Sequence, residues 1–410
     1  EYRFMNSQIS WPWLILGNSF ADNVSLIQWY EFTGHLGGSV WILIINILIY
    51  KTLQSIIVKA GRNRIIKISV ILSIFLIVPT GYSLVRFFTY KEIEHPIEVV
   101  VIQPNIDPYN EKFSIPVQDQ LNIILDIADQ YGDSTVNYFI APETALTYGI
   151  WENDICSNNY IMHIQTFLKK YPECKFIIGA NTLKKYPGGK GKTETSAESG
   201  NSGNYFDIYN TSLQIDTTSN VFIYHKSKLV PGVEMLPYPK TLSFLKSIMP
   251  DLGGITGSHG TQNDREVFTN ETMSISVGVP ICYESVYGQF VTEFVQKGAN
   301  VLFVITNDGW WGNTMGYRQH HDLSRLRAIE TRRSIVRSAN TGISCLINQK
   351  GEDTAILGWW QAGAIRGHIN ANDKITFYVK HGDYIARMSV IISALFLLMG
   401  IGHKIHSKFK

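Results

Sequence analysis

At 410 residues with a formal net charge of +2, the chain is long enough for more than one domain and lacks the strong basic excess of a nucleic-acid binder. Charged residues are only 17% of it, below the usual quarter, and they cluster so that long stretches carry none. Four cysteines in a chain of this length exclude a disulfide-built scaffold.

The chain opens with Trp11-Pro-Trp-Leu-Ile-Leu-Gly17 and Ile27-Gln-Trp-Tyr30, which read as aromatic segments of a membrane interface. We expect earlier membrane spans to precede them. His35–Tyr50 predicts a membrane helix ending at Lys51. Ile68–Val85 predicts a second, because it holds no charged residue and, at about 1.5 Å per residue, extends about 27 Å, close to a bilayer core. Pro79 inside it predicts a kink. Tyr384–Gly402 predicts a third, broken only by Arg387, whose head can snorkel outward. Lys51, Lys59, Arg62, Arg64 and Lys67 stand between the first two spans with no acid among them, and Lys404, Lys408 and Lys410 follow the third. The positive-inside rule puts both sets in the cytoplasm and the intervening domain on the other side. The predicted division is a membrane region 1–90, an exported domain 91–383, and a final helix with a basic tail 384–410.

Within the exported domain, β-rich runs recur at Ile97–Gln103, Val136–Ala141, Phe176–Asn181, Asn210–Asp216, Asn220–Tyr224, Ser274–Ile281, Val301–Thr306 and Gly342–Asn348. Helical patterns fall at Pro116–Gln130, Asn158–Lys170, Val286–Lys297 and His321–Arg337. The alternation predicts an α/β fold with one large sheet or two packed sheets. Cys156 and Cys174 flank the second helix, which separates them by on the order of 20 Å, beyond disulfide reach. Cys345, in an alternating run, reads as a small core residue. Tyr186–Gly203, polar and glycine-rich, predicts a mobile surface loop. Leu236–Gly260 carries Leu242, Phe244, Leu245, Ile248, Met249 and Leu252, more apolar side chains than a solvated loop should show. It reads either as a core helix or as a lid that dips into lipid.

Three residues sit where apolar runs stop: Glu143 in Ala141-Pro-Glu-Thr144, Lys226 after Tyr224-His225, and Cys282 in Ile281-Cys-Tyr-Glu284. Strand ends far apart in sequence can converge on one edge of an α/β scaffold. A carboxylate to take a proton, a cation to hold an oxyanion and a thiol to attack form an acyl-transfer set. A helix starting after Cys282 would favour its thiolate. Taken singly, each has an ordinary alternative: a buried cysteine, a carboxylate at a helix start, a solvated lysine. No His/Cys/Asp set has metal-ligand spacing, so neither metal nor cofactor is expected.

These runs resemble the nitrilase, or carbon–nitrogen hydrolase, superfamily, and within it the apolipoprotein N-acyltransferase family of bacterial inner membranes. The resemblance also rests on Tyr224-His-Lys-Ser-Lys-Leu-Val-Pro-Gly-Val-Glu234, Thr306-Asn-Asp-Gly-Trp-Trp-Gly312, Gln319-His320, Ala328-Ile-Glu330 and Arg337-Ser-Ala-Asn-Thr-Gly342. It departs at Leu229-Val-Pro-Gly-Val-Glu234, where the family usually has Leu-Val-Pro-Phe-Gly-Glu, and in having fewer membrane spans than the family's usual set. It implies an α-β-β-α sandwich with flanking transmembrane helices, facing the periplasm, and a monomer. It also implies that Glu143 is the general base, Lys226 the oxyanion cation and Cys282 the nucleophile. Glu234, Tyr283 and Glu284 would support them, and Trp310 and Trp311 would line an acyl-chain pocket, unless one of the two has a plain core role. Glu284 could instead pair with an arginine such as Arg327. The implied reaction moves an acyl chain from a membrane phospholipid, through a cysteine thioester, to the amino terminus of a diacylglyceryl-cysteine lipoprotein. The alternatives are an amidase of the same superfamily, which would need no membrane spans, and a non-catalytic lipoprotein-binding protein, which would not need all three site residues.

Overall fold

In a computed structural model of the chain, residues 1–200, 203–239, 241 and 259–408 are described. The strands in chain order are β1 (Pro96–Gln103), β2 (Tyr138–Ile140), β3 (Leu146–Trp151), β4 (Lys175–Tyr186), β5 (Ala197–Glu198), β6 (Tyr205–Ile215), β7 (Val221–His225), β8 (Val267–Asn270), β9 (Ile275–Gly278), β10 (Val301–Thr306), β11 (Ile335–Ala339), β12 (Ser344–Ile347), β13 (Asp353–Leu357) and β14 (Gly363–Asn370). They form an eight-stranded sheet, β14-β1-β2-β4-β6-β5 with β3 on β4 and β7 on β6, and a six-stranded sheet, β13-β12-β11-β10-β9-β8.

Period-two alternation in β1 explains the layering. Val99 and Val101 point into a core shared with Val277, Phe303 and Val336 of the second sheet. Val100 and Ile102 point the other way, onto Leu121, Ile124 and Ala128 of the helix Val117–Tyr131 and Ile161 and Ile164 of the helix Asn159–Leu168. Helices Gly288–Gln296 and Met315–Thr331 pack on the second sheet through Phe290, Phe294, Leu326 and Ile329. The result is helix, sheet, sheet, helix: the sandwich expected from the resemblance. Met5, Ile15, Val24 and Ile27 of the lead-in join the same core as the second sheet.

Among the described residues, three helices are long and apolar enough to cross a membrane: Tyr30–Ile57, Arg62–Thr89 and Tyr384–Ser407. Their side chains, among them Leu43, Ile47, Ile77, Leu395 and Phe396, face outward with little protein cover. The helix Arg62–Thr89 runs through Pro79 with no break in its helical backbone, so the expected kink is not a rupture. The first helix is tied to the sandwich where the His35 backbone N–H donates to Glu330 Oε1 at 2.8 Å and Arg332 pairs with Glu31 at 2.9 Å.

Two expectations change. The helix expected at His321–Arg337 runs over Met315–Thr331, because Arg332 takes a left-handed φ of 51° and ends it. The β-branched Ile335 and Val336 then extend beside β10 as a parallel strand. Residues 187–200 are surface chain, yet part of this stretch is anchored: β5 pairs with β6, and Thr193 and Thr195 donate to the buried carboxylate of Asp207. Most of the apolar insertion 236–260, with Leu242, Phe244 and Leu245, lies outside the described residues.

Candidate active site

β2 and β4 run parallel in one sheet, and β9, β10 and β11 run parallel in the other. Ligand crevices in such sheets form beyond the carboxyl ends of the strands. Glu143 follows β2, Lys226 follows β7, and Cys282 follows β9, so all three reach one cleft. Gly179 on β4 permits the approach of the Glu143 loop, since a Cβ there would lie 2.4 Å from the Thr144 nitrogen and 2.6 Å from Glu143 Cα. Cys282 and Thr144 hold positive φ angles of 49° and 46°. Residues with side chains rarely do so, and such strain collects at functional turns.

Lys226 is 1% exposed, and its Nζ donates to Glu143 Oε1 and to Glu234 Oε1, each at 2.8 Å. Asn210 Nδ2 bridges the same two oxygens at 2.8 and 3.0 Å. The outer oxygens are held by backbone: Asn307 N–H donates to Glu143 Oε2 at 3.1 Å and Val230 N–H to Glu234 Oε2 at 2.8 Å. Burial opposes the charge on Lys226, but the two carboxylates outweigh it and hold the amine well above its usual range. Burial likewise opposes ionisation of Glu234, and Lys226 and His259 reverse the balance and lower it. Burial, reinforced by the charge of Glu143, pushes the Cys282 thiol up, so it rests as a thiol until a proton acceptor takes its hydrogen.

Glu284 joins two of the turns. Its Oε1 accepts from Tyr224 Oη at 2.8 Å and from the Ser227 N–H at 2.6 Å, while Oε2 accepts from the Ile281 N–H at 2.8 Å. It thereby fastens the residue after Lys226 to the residue before Cys282. Burial pushes its carboxyl up to about 7 against those donors. Arg327 is not its partner; that guanidinium pairs with Glu330 at 3.0 Å on the same helix, where i,i+3 spacing places them together.

The two tryptophans separate. Trp310 lines the cleft, whereas Trp311 is not among its lining residues and packs on Trp11 and Trp13 at centroid distances of 5.8 and 5.2 Å. Tyr283 also turns toward the lead-in, stacking on Trp13 at 5.7 Å and donating to the Ser10 carbonyl at 2.6 Å.

Sequence reasoning missed Lys112, Asn210 and His259, all lining the cleft. Asn210 stands within a strand whose β-branched pattern hid it. The run Thr306-Asn-Asp, noted only for the resemblance, carries a buttress behind Cys282 that sequence reasoning did not assign. Asp308 binds His320 Nδ1 at 2.8 Å and Arg337 at 2.6 Å, and His320 Nε2 lies 3.1 Å from the Cys282 carbonyl oxygen. Arg337 and His320 hold the Asp308 carboxyl well down although it is fully buried. Away from the cleft, the fold gathers His321, Cys345 and Asp353 within 4.8 Å of one another, which their positions on a helix and two strands concealed. His321 there sits between Asp322 at 3.2 Å and Asp353 at 2.9 Å, with Arg325 3.6 Å from each carboxylate, an arrangement complete as ion pairs.

Comparison with known families identifies the class: the carbon–nitrogen hydrolase profile matches residues 101–375, and the chain belongs to that family. Over nearly its whole length the chain is similar to proteins named apolipoprotein N-acyltransferase. The relative from Chlorobaculum tepidum is 27% identical over 98% of this chain and 75% of its own. That from Geobacter metallireducens is 24% identical over 96% and 70%, and that from Thermotoga maritima is 27% identical over 93% and 65%. Among solved structures, an amidase from Nesterenkonia sp. overlaps 72% of this chain and 97% of its own at 14% identity, with a TM-score of 0.46.

Proposed function

We propose that the protein transfers an acyl chain from a membrane phospholipid, by way of a Cys282 thioester, to the terminal amine of a diacylglyceryl-cysteine lipoprotein. The observation that carries this reading is a cleft that holds Cys282, Glu143 and Lys226 on a chain whose described residues include three helices apolar enough to cross a bilayer. Similarity to acyltransferases of that name supports it.

Glu143 Oε1 or Oε2 accepts the Cys282 proton as Sγ attacks the ester carbonyl. The C–S bond forms and the carbonyl electron pair moves to oxygen, where Lys226 and the backbone N–H groups opening the turn Cys282–Val286 face it. On collapse the C–O bond breaks, and the proton on Glu143 goes to the departing alkoxide, which leaves as a lysophospholipid. The lipoprotein amine then attacks the thioester, Glu143 accepts its proton, and sulfur leaves to take that proton back. Glu234 and Asn210 hold Lys226 in place, and Glu284 holds the two turns together. Trp310 lines the acyl path; Tyr283 and Trp311 fix the aromatic lead-in beside it.

Both substrates carry acyl chains whose extraction into water costs about 0.8 kcal/mol per CH₂, so a site anchored at the bilayer avoids most of that cost. The spans would set residues 91–383 on the periplasmic side of an inner membrane, with 1–90 and 384–410 as the membrane regions, and one copy would suffice for the chemistry. The test supplies vesicles of labelled phospholipid and a synthetic diacylglyceryl-cysteine peptide with a free amine. The reading requires an amide-linked third chain and an equal amount of lysophospholipid. Release of free fatty acid with no acylated peptide would make the protein a hydrolase and reject the proposal.

A further inference from the structure

Lys226 already serves two carboxylates. Glu143 and Glu234 each take one of its hydrogen bonds at 2.8 Å, so its single positive charge is spent before any reacting group acquires negative charge. A second ammonium lines the same cleft. Lys112 is 4% exposed, and among the described residues its Nζ has one hydrogen-bond acceptor, Thr144 Oγ1, and no carboxylate within ion-pair distance. Thr144 adjoins Glu143, and its left-handed φ of 46° marks the turn that carries both.

The charges balance only if Lys112 is counted. At rest the cleft holds two carboxylates and two ammoniums. When Glu143 takes the Cys282 proton, the negative charge moves to sulfur and then to the carbonyl oxygen, and the count stays at two against two. Without Lys112, every one of those states would leave one uncompensated negative charge in a buried site, which is costly. A buried cation with no carboxylate of its own is suited to follow that moving charge.

We infer that Lys112 is a further catalytic residue, the cation that stabilises the Cys282 thiolate and the oxyanion formed from it. The inference rests on the acyl-transfer reading of the cleft, but its first readout does not depend on the donor. Burial, with Lys226 nearby, lowers the Lys112 amine to about 8, and Glu143 and Cys282 act in the opposite direction. It is therefore charged below about pH 8 and loses its effect above, facing Glu143, Thr144, Lys226 and Cys282 throughout.

The experiment compares the full chain with Lys112→Met and with Lys112→Gln, which keeps a donor for Thr144 but carries no charge. Alkylation of Cys282 by iodoacetamide is followed across pH by mass of its peptide, acylation by phospholipid is timed in a single turnover, and thermal unfolding checks the fold. Both variants should move the alkylation midpoint upward by about one pH unit or more and slow acylation on the order of a hundredfold, as loss of an oxyanion donor does. An unchanged alkylation profile in Lys112→Gln overturns the inference, whatever the stability of Lys112→Met. A shifted profile in a protein whose unaltered form takes no acyl group would leave Lys112 in its role and reject the phospholipid reading instead.

Discussion

Replacing Lys226 with methionine removes the one cation shared by Glu143 and Glu234, whose Oε1 atoms both face it at 2.8 Å. Two buried carboxylates then share Asn210 as their remaining common donor. Breaking a buried pair by removing one partner costs about 3–5 kcal/mol, since it strands the other charge. Two like charges this close do not both stay ionised; one takes up a proton. The pH dependence follows with a definite sign. In the unaltered protein Lys226 is raised, so its contribution is complete below the unfolded value near 10.5 and is lost only at strongly alkaline pH. Glu234 is lowered, so its contribution is present above the unfolded value near 4.5 and is lost as pH falls below it. The cluster therefore contributes evenly between those limits. In Lys226→Met the carboxylate pair loses its shared cation, the folded state takes up a proton there that the unfolded chain does not, and stability should climb as pH falls from 8 toward 5. Adding Glu234→Gln to Lys226→Met removes one of the stranded charges and should recover about half or more of the loss at pH 8. The assay is unfolding in detergent at several pH values, run as a double-mutant cycle. Additive losses in the double variant, or a pH-independent deficit in Lys226→Met, would show that the three side chains do not form one charge cluster.

Cys282→Gly should abolish acyl transfer while raising stability by about 1 kcal/mol, because glycine accepts the positive φ that cysteine bears under strain; a lower melting temperature than that of Cys282→Ala would contradict it. Glu284→Gln keeps the shape but sets an amide N–H against a donor, either the Ile281 N–H or those bound by Oε1. It should cost about 1–3 kcal/mol and slow turnover, and wild-type stability with wild-type rate would refute the role of Glu284 as a fastener. Asp308→Asn strands Arg337 behind Cys282 and should lower stability by about 3–5 kcal/mol by thermal unfolding. Trp310→Ala should weaken use of long-chain donors more than short-chain ones, whereas Trp311→Ala, whose ring packs on Trp11 and Trp13, should lower stability without that chain-length dependence.

The sequence made the layers legible where a continuous apolar, β-branched run marked a strand buried on both faces, as in β1, and where helices carried a single apolar face, as in Val117–Tyr131. It misled at residues 321–337, because the helix stop at Arg332 is a left-handed turn made by a residue with no turn signature. The strands β3, β13 and β14 were hidden for a related reason: they mix glycine and charge with apolar residues and gain their shape from pairing rather than from pattern. Glu143, Lys226 and Cys282 were visible because each punctuates an apolar run. Lys112 and Asn210 were not, since a lysine in a polar loop and an asparagine in a strand look ordinary until folding buries them in the cleft. Tyr283, read as a supporting residue, and Trp311, read as a pocket or core residue, both face the aromatic lead-in, a long-range contact that no local spacing encodes.

The central claim is that Cys282 carries the acyl chain. Intact-mass and peptide-mass spectrometry of the purified protein after incubation with a phospholipid of one defined chain tests it most directly. The account predicts one added acyl mass, on the Cys282 peptide, discharged by a diacylglyceryl-cysteine peptide with a free amine and absent from Cys282→Ala and Glu143→Gln. An unmodified Cys282 beside formed product, or an acyl mass that persists in Cys282→Ala, would contradict it.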